Sequence, residues 1–187
     1  MVISKTTIFS LNIGMSASLA GLVTLINSEA VGVIFLQEVR MTSTQIESQL
    51  PGFQAVSNID IDNLARPGVA IAWRNSVPVV NVHSLTTCRL QVASLEQTLL
   101  INVYAPSGSE KKRERNIFFG HDLFDALNFG SFQSLVVGGD FNCLLEPIDV
   151  EEGIGFNNKK CVILKDLIKV AKGRIHFLQT GMLSFQT

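Results

Sequence analysis

Oxygen-bearing polar side chains stand where three strand-like segments of the sequence end. Asn12 follows the first segment and Glu38 the second, and Asp140 and Asn142 follow a third that ends in Gly138-Gly139. Strand ends at one edge of an α/β sheet are a common place for ligands to bind. Carboxylate and amide oxygens are the ligands that hard cations such as Mg²⁺ prefer. The pattern therefore predicts a site for a divalent cation and its ligand at one sheet edge.

Each of these residues also has a structural explanation when it is taken alone. A single Glu at the end of a strand is most often solvated. Asp and Asn commonly bond to their own backbone, so Asp140 and Asn142 could form a turn. The combination, in this order and on these elements, is harder to attribute to chance than any one of its members.

The composition indicates that the function depends on a few specific residues and not on a large net charge. The chain has 187 residues, with 15 Lys and Arg against 16 Asp and Glu, and a net charge of −1. Hydrophobic residues make up 47% and charged residues 17%, against about 25% charged in an average domain. These values exclude a disordered chain and a binder that holds nucleic acid by bulk positive charge. The length suits one domain.

Cysteine usage and hydropathy indicate an intracellular protein, in the nucleus or the cytoplasm. Cys88, Cys143 and Cys161 are too few and too scattered for a disulfide framework or a Cys/His metal site. No charged residue lies between Lys5 and Glu29, but polar residues interrupt that segment, so we predict neither a signal peptide nor a membrane span. A membrane is therefore not an expected partner.

The order of the elements predicts the fold class. Strand-like residues 6–13, a helical pattern over 19–26 and a strand over 31–39 form a crossover unit with parallel strands. The runs 90–95 and 98–104 are so close that they predict an antiparallel hairpin. Crossovers mixed with hairpins favour an α/β fold of two mixed β-sheets packed as a sandwich, with helices outside. A single doubly wound sheet is the alternative. Further predicted elements are a short helix with a capping box at Thr44 and Glu47, a strand over 68–74, a helix around 119–127, a short strand over 135–137 and a helix over 161–171.

Six strings follow one another along about nine tenths of the chain. They are Phe9-Ser10-Leu11-Asn12, Ile34-Phe35-Leu36-Gln37-Glu38, Gly68-Val69-Ala70-Ile71, Ile101-Asn102-Val103-Tyr104-Ala105-Pro106, Arg115 with Phe118-Phe119, and Val137-Gly138-Gly139-Asp140-Phe141-Asn142. In this order they resemble the endonuclease/exonuclease/phosphatase superfamily. The resemblance is closer to the apurinic-endonuclease-like domain of non-LTR (LINE-type) retrotransposons.

The resemblance implies a role for each matching residue. Glu38 would be the principal ligand of Mg²⁺ or Mn²⁺, with Asn12 beside it. Asp140 would orient or deprotonate the attacking water, and Asn142 and Tyr104 would contact the scissile phosphate of DNA. Phosphodiester hydrolysis needs such a set: a cation on the non-bridging oxygens, a base for water, and donors for the developing charge.

Two arginines near the predicted active edge are candidates for further phosphate contacts. Arg40 follows Glu38 closely, and Arg66 precedes the strand over 68–74. Either could also be an ordinary surface residue. The basic run at 111–113 is most simply the solvated face of a helix.

The chain departs from the family pattern at its C-terminal end. The family ends with Ser-Asp-His, whose His contacts the phosphate, but none of His83, His121 and His176 follows Ser-Asp. The resemblance stops at about residue 172. We therefore expect a C-terminally shortened domain over 1–172, a divergent tail over 173–187, and a second sheet that is incomplete.

These observations favour a Mg²⁺-dependent phosphodiesterase of the endonuclease type that nicks DNA and is weak or inactive as this chain. The alternatives are an inactive fragment, a superfamily phosphatase acting on another phosphoester such as a nucleotide or phospholipid, and a nucleotide-binding domain without activity. The last is disfavoured because no glycine-rich phosphate loop follows the first strand.

Overall fold

The computed structural model describes residues 5–14, 18–28, 30–86, 88–143, 161–170, 175–179 and 181–186. No helix within these ranges is both long enough and apolar enough to cross a membrane. The elements, in chain order, are β1 (Lys5–Asn12), α1 (Ala20–Ser28), β2 (Val31–Val39), α2 (Ser43–Gln49), β3 (Phe53–Asn58), β4 (Gly68–Arg74), β5 (Val79–Thr86), β6 (Leu90–Leu95), β7 (Thr98–Tyr104), α3 (Lys112–Phe118), a π-helical segment (Phe119–Leu123), α4 (Phe124–Leu127), β8 (Ser134–Asp140), α5 (Val162–Val170), β9 (Ile175–Gln179) and β10 (Gly181–Gln186).

The strands form two mixed five-stranded sheets. Their orders are β10-β1-β2-β4-β3 and β5-β6-β7-β8-β9. The crossover prediction is confirmed, because β1 and β2 are parallel neighbours, and so is the hairpin prediction, because β6 and β7 pair antiparallel. The two-sheet sandwich is thus the observed fold, and the alternative of a single doubly wound sheet is wrong.

Three apolar clusters hold the layers together. Ile8, Phe35 and Leu100 belong to the cluster between the two sheets. A second cluster joins the first sheet to α1 and α2, and a third joins the second sheet to α3, α4 and α5. Central strands such as β2 are therefore buried on both faces, which is why β2 is a continuous apolar run in the sequence. The result is a helix, sheet, sheet, helix stack.

The capping box of α2 lies two residues before the predicted one. Thr42 Oγ1 accepts a hydrogen bond from Gln45 N at 3.3 Å, and Gln45 Oε1 accepts one from Thr42 N at 2.8 Å. The predicted pair, Thr44 and Glu47, was wrong because α2 already begins at Ser43. Glu47 instead accepts a hydrogen bond from the backbone of β3, at Ala55 N.

The segment 173–187, which the sequence prediction separates from the domain, contributes a strand to each sheet. β10 pairs antiparallel with β1, and β9 pairs parallel with β8. Within the described residues, β9 has a strand on one side only. β9 is therefore an edge strand of the second sheet in this part of the chain, which is compatible with the expected incomplete sheet.

Gly139 sets how closely β7 and β8 approach, and an alanine there should destabilise the fold. Gly139 has φ +143°, and a Cβ at this position would overlap the carbonyl oxygen of Val103. We expect Gly139→Ala to lower the free energy of unfolding by about 2 kcal/mol or more. Gly120→Ala is the matched control, because a Cβ there meets open space. Urea unfolding of both variants tests this, and equal stability of the two would contradict it.

Candidate active site

Four strand ends from both sheets meet at one edge of the sandwich. Parallel pairing places Asn12 beside Gln37 in the first sheet and Tyr104 beside Asp140 in the second. Glu38 is the residue after Gln37. The structure thus brings Asn12, Glu38, Tyr104 and Asp140 together through the ends of β1, β2, β7 and β8.

The Asn12 side chain joins the two carboxylates across the sheets. Its Nδ2 donates to Glu38 Oε1 at 3.0 Å and to Asp140 Oδ2 at 2.8 Å. Its Oδ1 accepts from Gly14 N at 2.9 Å, so the amide nitrogen faces the carboxylates. Glu38 and Asp140, far apart in sequence, are therefore within hydrogen-bond reach of the same nitrogen atom.

Glu38 has a backbone conformation that few glutamates adopt. Its φ is +58°, and the pairing of β2 with β4 shifts register between Gln37 and Val39. Such a bulge redirects a side chain and is typical of positions beside active sites. The strain of a non-glycine residue in this region is of order 1–3 kcal/mol. Gln37 and Val39 are buried, whereas Glu38 is half-buried. The bulge therefore lies at the residue whose side chain reaches the candidate site.

Tyr104 is held between Glu38 and an arginine that the sequence did not indicate. The Tyr104 hydroxyl donates to Glu38 Oε1 at 3.4 Å. The Arg89 guanidinium lies 4.8 Å above the centre of the tyrosine ring. Arg89 Nη1 also donates to the carbonyl oxygens of Tyr104 and Ala105, both at 3.4 Å. Arg89 thus fixes both the ring of Tyr104 and the backbone at the end of β7.

Asp140 and Asn142 form a turn and belong to the site at the same time. Asp140 Oδ1 accepts from Asn142 N at 2.9 Å, which is the turn that Asp and Asn favour. Asn142 has φ +49°, and its Nδ2 donates to Ala105 O at 2.9 Å. The structural explanation of these residues and their place in the site are therefore compatible. The turn gives Asp140 a fixed orientation and leaves Oδ2 for Asn12.

Two buried polar side chains, Gln37 and Asn102, join the two sheets next to Glu38. Gln37 Nε2 donates to Asn102 Oδ1 at 2.8 Å, and Asn102 Nδ2 donates to Ala70 O at 2.8 Å and Leu36 O at 3.1 Å. Neither side chain is exposed. Since buried polar groups need partners, this pair fixes how β2 and β4 sit against β7. Both residues occur in the strings of the sequence comparison, but their type alone did not reveal that they meet.

Arg115 holds the loop that follows β7. It is only 5% exposed, and its Nη1 donates to Pro106 O at 2.7 Å and to Gly108 O at 3.1 Å. The guanidinium thus satisfies two carbonyl groups of a loop without regular structure.

The two arginines predicted to contact phosphate lie elsewhere at this edge. Arg40 is half-buried, and its Nη2 donates to Ala65 O at 3.0 Å. Arg66, the next residue of that loop, is exposed. Neither forms a hydrogen bond with Glu38 or Asp140 among the described contacts. Their contact with phosphate stays a prediction.

The donor set suits a hard cation. Across the described ranges, Glu38 and Asp140 pair with no Lys or Arg, and no three His, Cys, Asp or Glu side chains cluster as a ready-made metal cage. Two neighbouring carboxylates without a basic partner repel each other, and a divalent cation offsets that repulsion. Mg²⁺ needs only one or two carboxylates because it keeps several waters. The residues present therefore fit Mg²⁺ or Mn²⁺. Asn12 would have to turn its amide oxygen away from Gly14 to become a second ligand.

The arrangement of two mixed sheets is the fold of apurinic/apyrimidinic (AP) endonucleases and TDP2, which belong to the endonuclease/exonuclease/phosphatase type. An AP endonuclease from Archaeoglobus fulgidus superposes with a TM-score of 0.64 at 19% identity, over 89% of this chain and 69% of that one. The AP endonuclease LMAP from Leishmania major gives 0.70 at 14% identity, over 89% and 67%. TDP2 from Danio rerio, complexed with a single-strand DNA product, gives 0.57 at 18% identity, over 76% and 62%.

These likenesses establish the fold at low sequence identity. The chain covers 64% of a humanized Danio rerio TDP2 and 50% of one Caenorhabditis elegans TDP2 chain. No protein-family profile matches the sequence, and no curated protein sequence matches it. The closer relation to retrotransposon endonucleases therefore stays a prediction from the sequence strings.

The environment of Tyr104 predicts a measurable titration. Burial raises the pKa of Tyr104, and the negative charge of Glu38 raises it further, against the lowering effect of Arg89. Tyr104 is the single tyrosine of the chain, so its ultraviolet absorbance reports this group alone. We expect a midpoint above the usual value of about 10. Glu38→Gln should lower it, because the neighbouring charge is removed.

The control and the effect on stability follow from the same shift. Glu96→Gln should leave the midpoint unchanged, because Glu96 is exposed in the turn at the other end of β7 and also has positive φ. Since the folded pKa is above the unfolded one, the stability linked to this group is present below about pH 10 and is lost as pH rises through the folded value. An equal midpoint in Glu38→Gln and in the unmodified protein would contradict the Tyr104–Glu38 contact.

Proposed function

We propose that the chain is a divalent-metal-dependent phosphodiesterase domain that cleaves the DNA backbone. The observation that carries the proposal is the Asn12 bridge, which brings the carboxylates of Glu38 and Asp140 together from two different sheets. Two carboxylates serve phosphodiester hydrolysis when one holds a cation and the other serves the attacking water.

Glu38 is assigned to the cation and Asp140 to the water. A bound Mg²⁺ or Mn²⁺ supplies polarisation of the phosphate and charge neutralisation. Asp140 is the better base because both of its oxygens are oriented, Oδ1 by Asn142 N and Oδ2 by Asn12. In the reaction the water oxygen bonds to phosphorus and its proton passes to Asp140. The bond from phosphorus to the leaving sugar oxygen breaks, and that oxygen takes a proton from solvent to become a hydroxyl group.

Asn142 and Tyr104 are assigned to the phosphate. The Asn142 amide donates to Ala105 O in the structure, and it would exchange this bond for one to a non-bridging oxygen. The Tyr104 hydroxyl is a neutral donor next to Glu38 because its pKa is raised. Neutral donors aimed at developing negative charge are typical of sites that stabilise such transition states.

DNA is the substrate class that the comparisons support. One neighbour in fold is a TDP2 with a single-strand DNA product, and two others are AP endonucleases. Since the net charge is −1, contact with the DNA backbone has to come from local groups, and Arg40 and Arg66 are the proposed ones. An origin in a non-LTR retrotransposon is proposed from the sequence strings.

The test is nicking of supercoiled plasmid by the purified chain. We expect slow nicking with Mg²⁺ or Mn²⁺ and none with a chelator, and loss of the signal in Asp140→Ala. Glu38→Gln should require more Mg²⁺ for the same rate, and Glu96→Gln should behave like the unmodified chain. Nicking that persists in the chelator, or that Glu38→Gln leaves unchanged, would refute the assignment of a cation to Glu38.

A further inference from the structure

Arg89 is joined to the end of β7 by its backbone and by its side chain. Its carbonyl oxygen accepts a hydrogen bond from Tyr104 N at 2.8 Å. Its Nη1 donates to the carbonyl oxygens of Tyr104 and Ala105, both at 3.4 Å, and the guanidinium lies 4.8 Å from the centre of the Tyr104 ring. One residue outside the strand ends of the site therefore contacts both the ring and the main chain there.

The carbonyl oxygen of Ala105 has two side-chain donors. Asn142 Nδ2 donates to it at 2.9 Å, and Arg89 Nη1 donates to it at 3.4 Å. Because the bond from Asn142 is the shorter one, Asn142 is the main partner and Arg89 is the second partner. Ala105 is fully buried, and a buried carbonyl group that loses its partners costs free energy. Arg89 is thus placed to keep this oxygen paired when Asn142 leaves it.

The main chain on both sides of Arg89 is held by a side chain from the other sheet. Asn58, at the end of β3, is buried, and its Nδ2 donates to Thr86 O at 2.8 Å and to Leu90 O at 3.2 Å. Its Oδ1 accepts from Cys88 N at 3.2 Å. Since this one amide bonds to the chain before and after Arg89, the arginine side chain extends from a fixed point of the backbone.

No described carboxylate neutralises the Arg89 guanidinium. The residue is half-buried, and among the described residues no ion pair joins it to Asp or Glu. Its charge is therefore directed to the two carbonyl groups and to the face of the tyrosine ring. A lysine at this position would keep the charge, but it would lack the planar group that stacks on a ring and donates from several nitrogen atoms.

We propose that Arg89 is a positioning residue that allows Asn142 to exchange the Ala105 carbonyl for the phosphate while Tyr104 stays in place. This inference rests on the proposed function, in which Asn142 and Tyr104 both donate to the phosphate. When the Asn142 amide moves to a non-bridging phosphate oxygen, Arg89 Nη1 keeps Ala105 O paired, and the guanidinium continues to hold the Tyr104 ring. Arg89 acts through these residues and makes no contact with the phosphate itself.

The test is a double-mutant cycle on the rate of plasmid nicking at saturating Mg²⁺, with enzyme in excess over plasmid. Arg89→Lys should lower the rate by about 10–100-fold, because the exchange by Asn142 then leaves a buried carbonyl group poorly paired. In Asn142→Gly, which suits the φ of +49° at this position, the same lysine substitution should cost much less, since no exchange takes place. Arg113→Lys, on the exposed face of α3, is the matched control and should not change the rate.

The titration of Tyr104 gives a readout that needs no activity. Because the positive charge of Arg89 lowers the pKa of Tyr104, Arg89→Met should move the absorbance midpoint upward, opposite to the shift expected for Glu38→Gln. Arg113→Met should leave the midpoint unchanged. Cooperative urea unfolding of each variant verifies that the fold is kept. An unmoved midpoint in Arg89→Met would show that the guanidinium does not hold the ring.

The outcomes distinguish this inference from the proposed function. A chain without any Mg²⁺-dependent nicking would refute the proposed function, and this role of Arg89 with it. Nicking by the unmodified chain at a rate that Arg89→Lys leaves unchanged would overturn the inference alone. So would an equal loss from Arg89→Lys with and without the Asn142 side chain, because Arg89 would then act independently of Asn142.

Discussion

Replacing Asp140 by Asn is expected to lower the rate of DNA nicking by about 10²–10⁴-fold while the fold is kept, because a general base contributes a factor of this size. Asparagine keeps the shape of the side chain and one acceptor oxygen, so either Asn142 N or Asn12 Nδ2 still finds a partner. It cannot take a proton from water. The loss should therefore be in the rate at saturating metal, and not in the concentration of Mg²⁺ that is required.

The measurement needs enzyme in excess over plasmid, so that slow single turnovers are visible. Asp125→Asn is the matched control, because Asp125 is exposed on α4 and lies outside the site. Cooperative urea unfolding of both variants verifies that the fold is intact. An unchanged rate in Asp140→Asn would place the base for the water on another residue.

The central strands could be predicted from the sequence because they are buried on both faces. β2 occupies the predicted residues 31–39, and the hairpin of β6 and β7 has the predicted bounds. β3 and β5 were not predicted. Both are edge strands, and β5 has six exposed or half-buried residues after Val80, so it lacks the alternation that marks a half-buried strand. The formation of an edge strand depends more on pairing with its neighbour than on its own hydrophobic pattern.

The meeting of these strand ends could be predicted from the sequence, whereas the contacts between their side chains could not. The two hydrogen bonds from Asn12 to the carboxylates depend on how the two sheets pack. No local sequence pattern predicts that packing. The bulge at Glu38 is likewise set by the pairing of β2 with β4. Arg89 is different, because it directly precedes the first strand of the predicted hairpin. Pairing Leu90 with Val103 continues to Arg89 opposite Tyr104, and extending the register by one residue would have found the contact.

The second large effect concerns the phosphate donor that the resemblance to the endonuclease/exonuclease/phosphatase superfamily implies in a Ser-Asp-His motif. The three histidines of this chain do not replace it. His83 packs against Phe129 on the edge strand β5, and His121 is exposed on the π-helical segment. His176 pairs with Val136, four residues before Asp140, which is about 13 Å along the strand at roughly 3.3 Å per residue. No histidine in the described ranges thus lies at the strand ends where Glu38 and Asp140 meet.

We therefore expect this chain to nick DNA slowly, because the absence of one donor to developing charge typically costs about 10²–10³-fold in rate. The other proposed site residues are present, namely Glu38, Asp140 and Asn142. Supplying the absent donor should therefore raise the rate of nicking. A C-terminal extension that carries Ser-Asp-His, taken from one of the AP endonucleases of similar fold, should raise the rate by a factor of this order over the same extension with alanine in place of its His. Within the described residues, β9 has a neighbouring strand on one side only, so added strands can pair with its other side. Rapid Mg²⁺-dependent nicking by the unextended chain, abolished by Asp140→Asn, would show that the remaining donors suffice and that the missing His is dispensable here.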